Sequence, residues 1–131
     1  MTNTFAEQDY PFQEETGAII KLGYEIHHHL GAGFLEVVYK DAFEYEFQLN
    51  EIDFKREEEY IIRYKEKILK HKFYADFVVF DNVILEIKAK EGGIAEADYA
   101  QTINYLKASG VKVGLILNFS RLKLEVKRVV Y

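Results

Sequence analysis

Cysteine is absent, which excludes disulfide bonds and thiolate metal sites and fits a cytoplasmic protein. Tryptophan is absent as well, and there is a single proline, Pro11. No apolar run approaches the ~20 residues that cross a bilayer, so no membrane association is expected. Met1 to Gln13 contains acidic residues and lacks a basic stretch followed by an apolar one, so it does not read as a signal peptide. Excess positive charge is also missing: 17 Lys and Arg stand against 22 Asp and Glu, a net charge of −5. Proteins that grip nucleic acid non-specifically are usually basic, so composition argues against a large nucleic-acid footprint. It leaves room for a small site where metal ions supply the positive charge. Repeats, low-complexity segments and internal linkers are lacking too.

What is present suits one globular domain. The chain has 131 residues, 49 % of them hydrophobic, with ten Tyr and ten Phe. Chains of this size bury a working core without staples. Residues 1–12 read as a flexible lead-in, and residues 13–131 as one domain.

The stretch Asp76 to Lys88 holds the densest signal. Two runs rich in Val, Ile and Phe flank Asp81-Asn82, the pattern of a β-hairpin. Side chains two apart on a strand share a face, so Glu86 and Lys88 point the same way. A strict two-residue turn at Asp81-Asn82 would pair Phe80 with Val83 and place Asp76 opposite Ile87, on the other face. For the three charges to form one site, the hairpin must shift by one residue. A three-residue loop or a bulge would do so, and such an irregularity is predicted.

The rest of the chain frames this hairpin. Ile19, Leu22, Ile26 and Leu30 recur at helical spacing from Gln13 to Leu30, and Gly31-Ala32-Gly33 ends the pattern. A second helix is predicted over about Phe34 to Asn50. Leu35, Val38, Ala42, Tyr45 and Leu49 form one stripe on it, with Glu36, Tyr39 and Phe43 on an adjoining face. Ile52 to Tyr64 alternates as a strand, with a turn near Lys65-Glu66. Ile68 to Phe80 follows as a second strand or strand pair, and Val83 to Ala89 as a third. Ala95 to Ala108 reads as a helix closed by Ser109-Gly110. Val111 to Asn118 is apolar on both faces, like a buried strand, and Leu124 to Val130 is the last strand. The order ααβββαββ gives an α/β (α+β) fold, a mixed central sheet with helices on its faces.

Magnesium takes hard oxygen ligands, typically one or two carboxylates completed by waters and substrate phosphate. Asp76 and Glu86 can supply them, with the backbone carbonyl of Ile87 as a third oxygen. Lys88 beside such an ion can orient water and stabilise charge on a phosphate. Glu36 is a candidate outer ligand or water-holder. The plainer alternative is a salt-bridge network at a sheet end, since ion pairs imitate sites. His27-His28-His29 is not a ligand set, because consecutive helical residues point in different directions. Gly31-Ala32-Gly33 follows no strand and so is not a dinucleotide fingerprint. Glu57-Glu58-Glu59 reads as a solvated strand edge. Arg121, Lys123, Lys127 and Arg128 are taken as the best basic patch.

The run Asp76…Glu86-Ile87-Lys88 resembles the core of the PD-(D/E)XK nuclease superfamily, with Ala75 where that name has proline. Gly33-Phe34-Leu35-Glu36-Val37-Val38-Tyr39 matches the motif of the small bacterial GxxExxY proteins, and Ile26-His27, Leu30-Gly31 and Gly114 to Phe119 are similar to them as well. The resemblance covers roughly Glu15 to Val130. It implies a restriction-endonuclease-like fold, Asp76 and Glu86 as ligands of Mg²⁺ or Mn²⁺, Lys88 as catalytic lysine and Glu36 as the first-helix acid. Gln101 and Tyr105 are similar to a Gln-x-x-x-Tyr motif of related nucleases and share a helical face; Gln101 is then a supporting site residue and Tyr105 a structural one. Tyr39 and His27 are expected behind the site, in packing and hydrogen bonding. The implied substrate is nucleic acid, DNA ahead of RNA. A catalytically silent binding module and a homodimeric scaffold are the competing readings, with any protein partner unidentified.

Overall fold

The computed structural model describes residues 12–131, so the lead-in expected over residues 1–12 lies, apart from Phe12, outside the described residues. Helix α1, Gln13–Leu30, buries Ile19, Leu22 and Ile26, the residues that set its period. It ends at Gly31, whose φ of 68° takes the chain out of the helix while its N–H still reaches the His27 carbonyl. Helix α2, Glu36–Leu49, buries a different stripe from the aliphatic one in the sequence pattern. Tyr39, Phe43 and Phe47 turn inward, whereas Leu35, Tyr45 and Leu49 stay exposed. These three aromatics, at four-residue spacing, pack against Phe54, Phe77 and Phe119, and this ring cluster puts their face in the core.

The expected strand over Ile52 to Tyr64 is divided. Strand β1, Phe54–Tyr60, ends before Ile61-Ile62; β2, Arg63–Tyr64, and β3, Lys67–Ile68, form a separate two-stranded hairpin around Lys65-Glu66. The run from Ile68 splits likewise, so that β4 is Phe73–Val79. Strand β5, Val83–Lys88, helix α3, Glu96–Ser109, and strands β6, Val113–Asn118, and β7, Glu125–Val130, complete the chain.

The main sheet has the order β1-β4-β5-β6-β7. Strands β5 and β6 are parallel, and α3 is the crossover between them; the other neighbours are antiparallel. Helices α1 and α2 cover one face through Ile19, Phe43, Phe47, Phe77, Leu85 and Leu117. Helix α3 covers the other through Leu106, with Ala75, Ile84, Ile116 and Val129 beneath it. Strand β5 alternates between the two. Val83, Leu85 and Ile87 face α1 and α2; Ile84 faces α3, and the same alternation sends Glu86 and Lys88 to that side.

Two glycines set α3 on the sheet. A Cβ on Gly114 would lie 2.7 Å from Thr102 Cγ2, so the close approach of α3 to β6 needs glycine there. Gly110, at φ 81°, ends the helix with its N–H on the Leu106 carbonyl.

Candidate active site

The site begins with the β4–β5 turn. Val79 pairs with Val83, Val78 with Ile84 and Phe77 with Leu85, leaving Phe80-Asp81-Asn82 as a three-residue loop. Phe80 and Asp81 both take φ 58°, which lets the chain reverse with one more residue than a two-residue turn. Parity therefore shifts by one, and the next position in register sets Asp76 opposite Glu86.

At that position side chains take over from the backbone ladder. The Asp76 N–H donates to Glu86 Oε2 at 3.0 Å, and the Ile87 N–H donates to Asp76 Oδ2 at 2.8 Å. Each carboxylate is thus anchored by a backbone N–H of the opposite strand. The β1–β4 ladder opens at the same level: Arg56 pairs with Phe77 and Glu58 with Ala75, but Glu57 and Asp76 are passed over, and Glu57 has φ 55°. The two strands change faces here. Phe54, Phe77 and Val79 belong with α1 and α2, Tyr60 and Ala75 with α3. Lys40 of α2 reaches into the opening, its Nζ 2.6 Å from Glu57 Oε2 and 3.0 Å from Asp76 Oδ1.

The electrostatics follow from this crowding. Glu86 is 4 % exposed, and burial, followed by the Asp76 charge, pushes its carboxyl up from 4.5 to about 8. The Asp76 N–H, Lys88 and Lys40 pull the other way without cancelling the rise. Tyr105 on α3 is pushed up to about 12, by burial first and then by the negative field of Glu86 and Asp76. Burial disfavours the Lys40 charge, yet Glu57 and Asp76 raise its pKa beyond the ordinary lysine value. Lys88 Nζ stands 3.9 Å from Asp98 Oδ1, a loose ion pair, while Lys90 Nζ holds Asp98 Oδ2 at 2.8 Å. Burial opposes the charge of Asp98, but the Ala95 N–H and these two lysines keep its carboxyl below the usual range.

The donor set fits a hard divalent cation. Among the described residues no three His, Cys, Asp or Glu side chains gather into a metal-holding group. The side-chain oxygens at this point are therefore those of Asp76 and Glu86. Two carboxylates are what magnesium commonly draws from a protein, with waters and phosphate filling the shell. Burial first and the Asp76 charge second disfavour an ionised Glu86, and a cation between the carboxylates would offset both; the Lys40 ammonium already stands 3.0 Å from Asp76.

The remaining predicted residues divide. Ile87 is buried on β5 and lends its N–H to Asp76, as described. Glu36 is exposed at the first residue of α2; Lys40 is four residues on and shares its face, so Glu36 stands one turn along from the residue that touches Asp76. Gln101 and Tyr105 lie on α3 and line a cleft whose walls do not include Asp76 or Glu86, with Gln101 exposed. Tyr39 and His27 are not brought to the carboxylates by any direct bond. Tyr39 donates to the Gly31 carbonyl at 2.6 Å and accepts from the Phe34 N–H at 3.2 Å, and its ring stacks on Phe119 at 4.4 Å. His27 donates through Nε2 to the Arg121 carbonyl at 2.8 Å. Tyr39 braces the turn that launches α2, whereas His27 ties α1 to the segment between β6 and β7.

Sequence reasoning missed three residues. Lys40 had a readable signal, since it lies four residues after Glu36. Asp98 sits in the first turn of α3 and caps Ala95, a position where an acid is expected. Asn118 is fully buried, and its one signal was its place in the Gly114 to Phe119 run, which assigned it no role. Its amide bonds the Lys90 N–H and carbonyl, both at 2.9 Å, and Glu125, tying the loop after β5 to the end of β6.

A family profile described as the PD-(D/E)XK nuclease superfamily matches residues 13–129. Among solved structures, "Crystal structure of SSO0001" is similar, with a TM-score of 0.58 and 18 % identity over 71 % of this chain and 48 % of that one. This chain thus spans about half the length of that protein, and the likeness concerns the fold. No curated protein matches the sequence.

Proposed function

The chain belongs to the PD-(D/E)XK nuclease superfamily, and from that premise we propose that it is a divalent-metal-dependent nuclease of the GxxExxY type that hydrolyses phosphodiester bonds. The observation that carries this reading is the cross-strand pair: Asp76 and Glu86 are held opposite each other by mutual backbone hydrogen bonds, with Lys88 on the Glu86 face. In this reading Asp76 and Glu86, with the Ile87 carbonyl, hold Mg²⁺ or Mn²⁺. The bound ion polarises the phosphate and lowers the pKa of water. Lys88 sets its ammonium beside the phosphate and stabilises charge that develops on its oxygens. Glu36 holds a water at the solvent side, and Gln101 positions the substrate from α3. Tyr39 keeps the turn after Gly31 in place, so that α2 delivers Glu36 and Lys40, and His27 fixes α1 to the segment after β6. Tyr105, kept protonated by burial and then by the charge of Glu86 and Asp76, offers a hydroxyl and no further charge. DNA is placed ahead of RNA as substrate.

One observation favours a second reading. Lys40 neutralises Asp76 with a direct ion pair at 3.0 Å, as a silent binding module that keeps the nuclease fold would do. The test is cleavage of labelled single- and double-stranded DNA and RNA with Mg²⁺ or Mn²⁺, beside Glu86→Ala and Lys88→Ala proteins. The nuclease reading expects metal-dependent cutting that falls at least ~100-fold in both variants, the scale of losing a positioned electrostatic group. Equal cutting by all three proteins, or none by any, would reject it.

A further inference from the structure

The segment Ile61 to Lys72 holds five basic residues, Arg63, Lys65, Lys67, Lys70 and Lys72, and one acid, Glu66, in a chain of net charge −5. It forms the β2–β3 hairpin, which lies outside the main sheet and is closed by the Leu69 N–H on the Ile62 carbonyl at 2.8 Å. Every residue from Ile61 to Ile68 is exposed. Lys72 is paired with Glu59, but Arg63, Lys65, Lys67 and Lys70 form no ion pair among the described residues. A fold that needed these charges for stability would have given them partners. Lys65 is placed at φ 56°, in a turn where glycine would sit without strain. Tyr64 is 60 % exposed, and the Lys65 ammonium lies 5.4 Å over its ring.

The hairpin also forms one wall of a cleft of about 760 Å³. Ile61, Ile62 and Arg63 come from the hairpin side, Phe73 forms the floor, and α3 supplies Gln101, Asn104, Tyr105 and Lys107. Phe73 stacks on Tyr105 at 4.2 Å with the rings nearly parallel. Tyr105, one of the lining residues, is also within electrostatic reach of Glu86 and Asp76, which do not themselves line the cleft. Its lining matches an unpaired base: apolar walls for the flat faces, two amides for the hydrogen-bonding edges, and Arg63 and Lys107 at the sides for phosphate. In a duplex those edges are already paired, and the bases are stacked out of reach of such a cleft.

We propose that the β2–β3 hairpin is a basic arm that holds a single-stranded nucleic-acid segment against α3, with its phosphates on Arg63, Lys67 and Lys70 and its bases in the cleft beside Tyr105. This deepens the nuclease reading by naming the form of substrate and its path, and rests on it for the direction in which the strand runs.

The test is fluorescence anisotropy of a labelled oligothymidylate of about 16 nucleotides, in EDTA, across about 50 to 200 mM salt. Three proteins are compared: wild type, Arg63→Ala/Lys67→Ala/Lys70→Ala, and Arg121→Ala/Lys123→Ala/Lys127→Ala as an equal loss of charge elsewhere. The hairpin variant is expected to bind roughly tenfold or more weakly, and its slope of log affinity against log salt to flatten by about 2, the share of three phosphate contacts on a single strand. The C-terminal variant should match wild type, and a duplex of the same length should bind less tightly than the single strand. Tyr64→Ala, which leaves the charges alone, should lower affinity roughly fivefold with an unchanged salt slope. Equal losses in the two triple variants, no loss in the hairpin variant, a preference for duplex, or no binding by wild type would overturn the proposal. The last would turn attention to a protein segment as occupant of the cleft. Because binding in EDTA needs no turnover, hairpin-dependent binding without cleavage would remove the nuclease reading and leave the arm. Cleavage together with undiminished binding by the hairpin variant would do the reverse.

Discussion

Burial and the Asp76 charge keep a proton on Glu86, and stability should record this. Between the usual 4.5 and about 8, the folded chain keeps a proton that the unfolded chain has released. Stability therefore falls as pH rises through that window and levels off above it. Glu86→Gln should flatten this part of the profile and melt above wild type at pH 8.5; identical thermal profiles for the two proteins would contradict the assignment. Lys40 acts in the opposite sense. Lys40→Met strips Glu57 and Asp76 of their cation and should cost about 2 kcal/mol by urea denaturation, part of it recovered with Mg²⁺. A variant as stable as wild type would show that the ion pair contributes nothing. The Asp76…Glu86-x-Lys88 set was legible because strand parity and chemistry are local. Lys40 was legible only in its four-residue spacing from Glu36, because its partners Glu57 and Asp76 meet it only when α2 packs on the sheet.

At the scale of elements, the hairpin shows what parity can deliver. The demand that Asp76 share a face with Glu86 required one extra residue, and the loop Phe80-Asp81-Asn82 provides it. Helix α2 shows where periodicity falls short. Two stripes of similar period ran along it, and Tyr39, Phe43 and Phe47 took the core over Leu35, Tyr45 and Leu49 because of what they pack against. Phe47, fully buried between Phe43, Phe54 and Phe77, should cost about 3–5 kcal/mol on truncation to Ala by chemical denaturation. A loss under 1 kcal/mol would mean that this aromatic cluster is not central to the core. The seating of α3 can be tested by a double substitution. Gly114→Ala drives a methyl to 2.7 Å from Thr102 Cγ2 and should destabilise by about 1–3 kcal/mol. Thr102→Ser removes that methyl and keeps the hydroxyl bond to the Asp98 carbonyl. In that background the cost of Gly114→Ala should fall by more than half; an unchanged cost would place the conflict elsewhere.

Across the whole molecule, basic charge is concentrated on one small element. Glu86 is buried and Asp76 half-buried, Glu57-Glu58-Glu59 stand on β1, and Arg63, Lys65, Lys67 and Lys70 stand in the hairpin segment without ion pairs among the described residues. The sequence pattern directed attention to Arg121, Lys123, Lys127 and Arg128, which are close in the chain. Arg128, however, turns inward to bond Thr16 Oγ1 at 2.6 Å. The hairpin bases were hidden by alternation with Ile and Tyr, which read as one long strand until Ile61-Ile62 broke it. The mixed sheet and its flanking helices were legible from the order of apolar periods, whereas the small hairpin depends on where the main sheet stops pairing. The central claim, that Asp76 and Glu86 form a site for a divalent ion, is tested most directly by titration calorimetry of Mn²⁺ near pH 7 in two buffers of different ionisation heat. Binding to wild type with release of close to one proton, lost in Glu86→Gln, is the predicted result. Absence of binding, or binding of equal strength in Glu86→Gln, would make the pair a charge network braced by Lys40 and contradict the account.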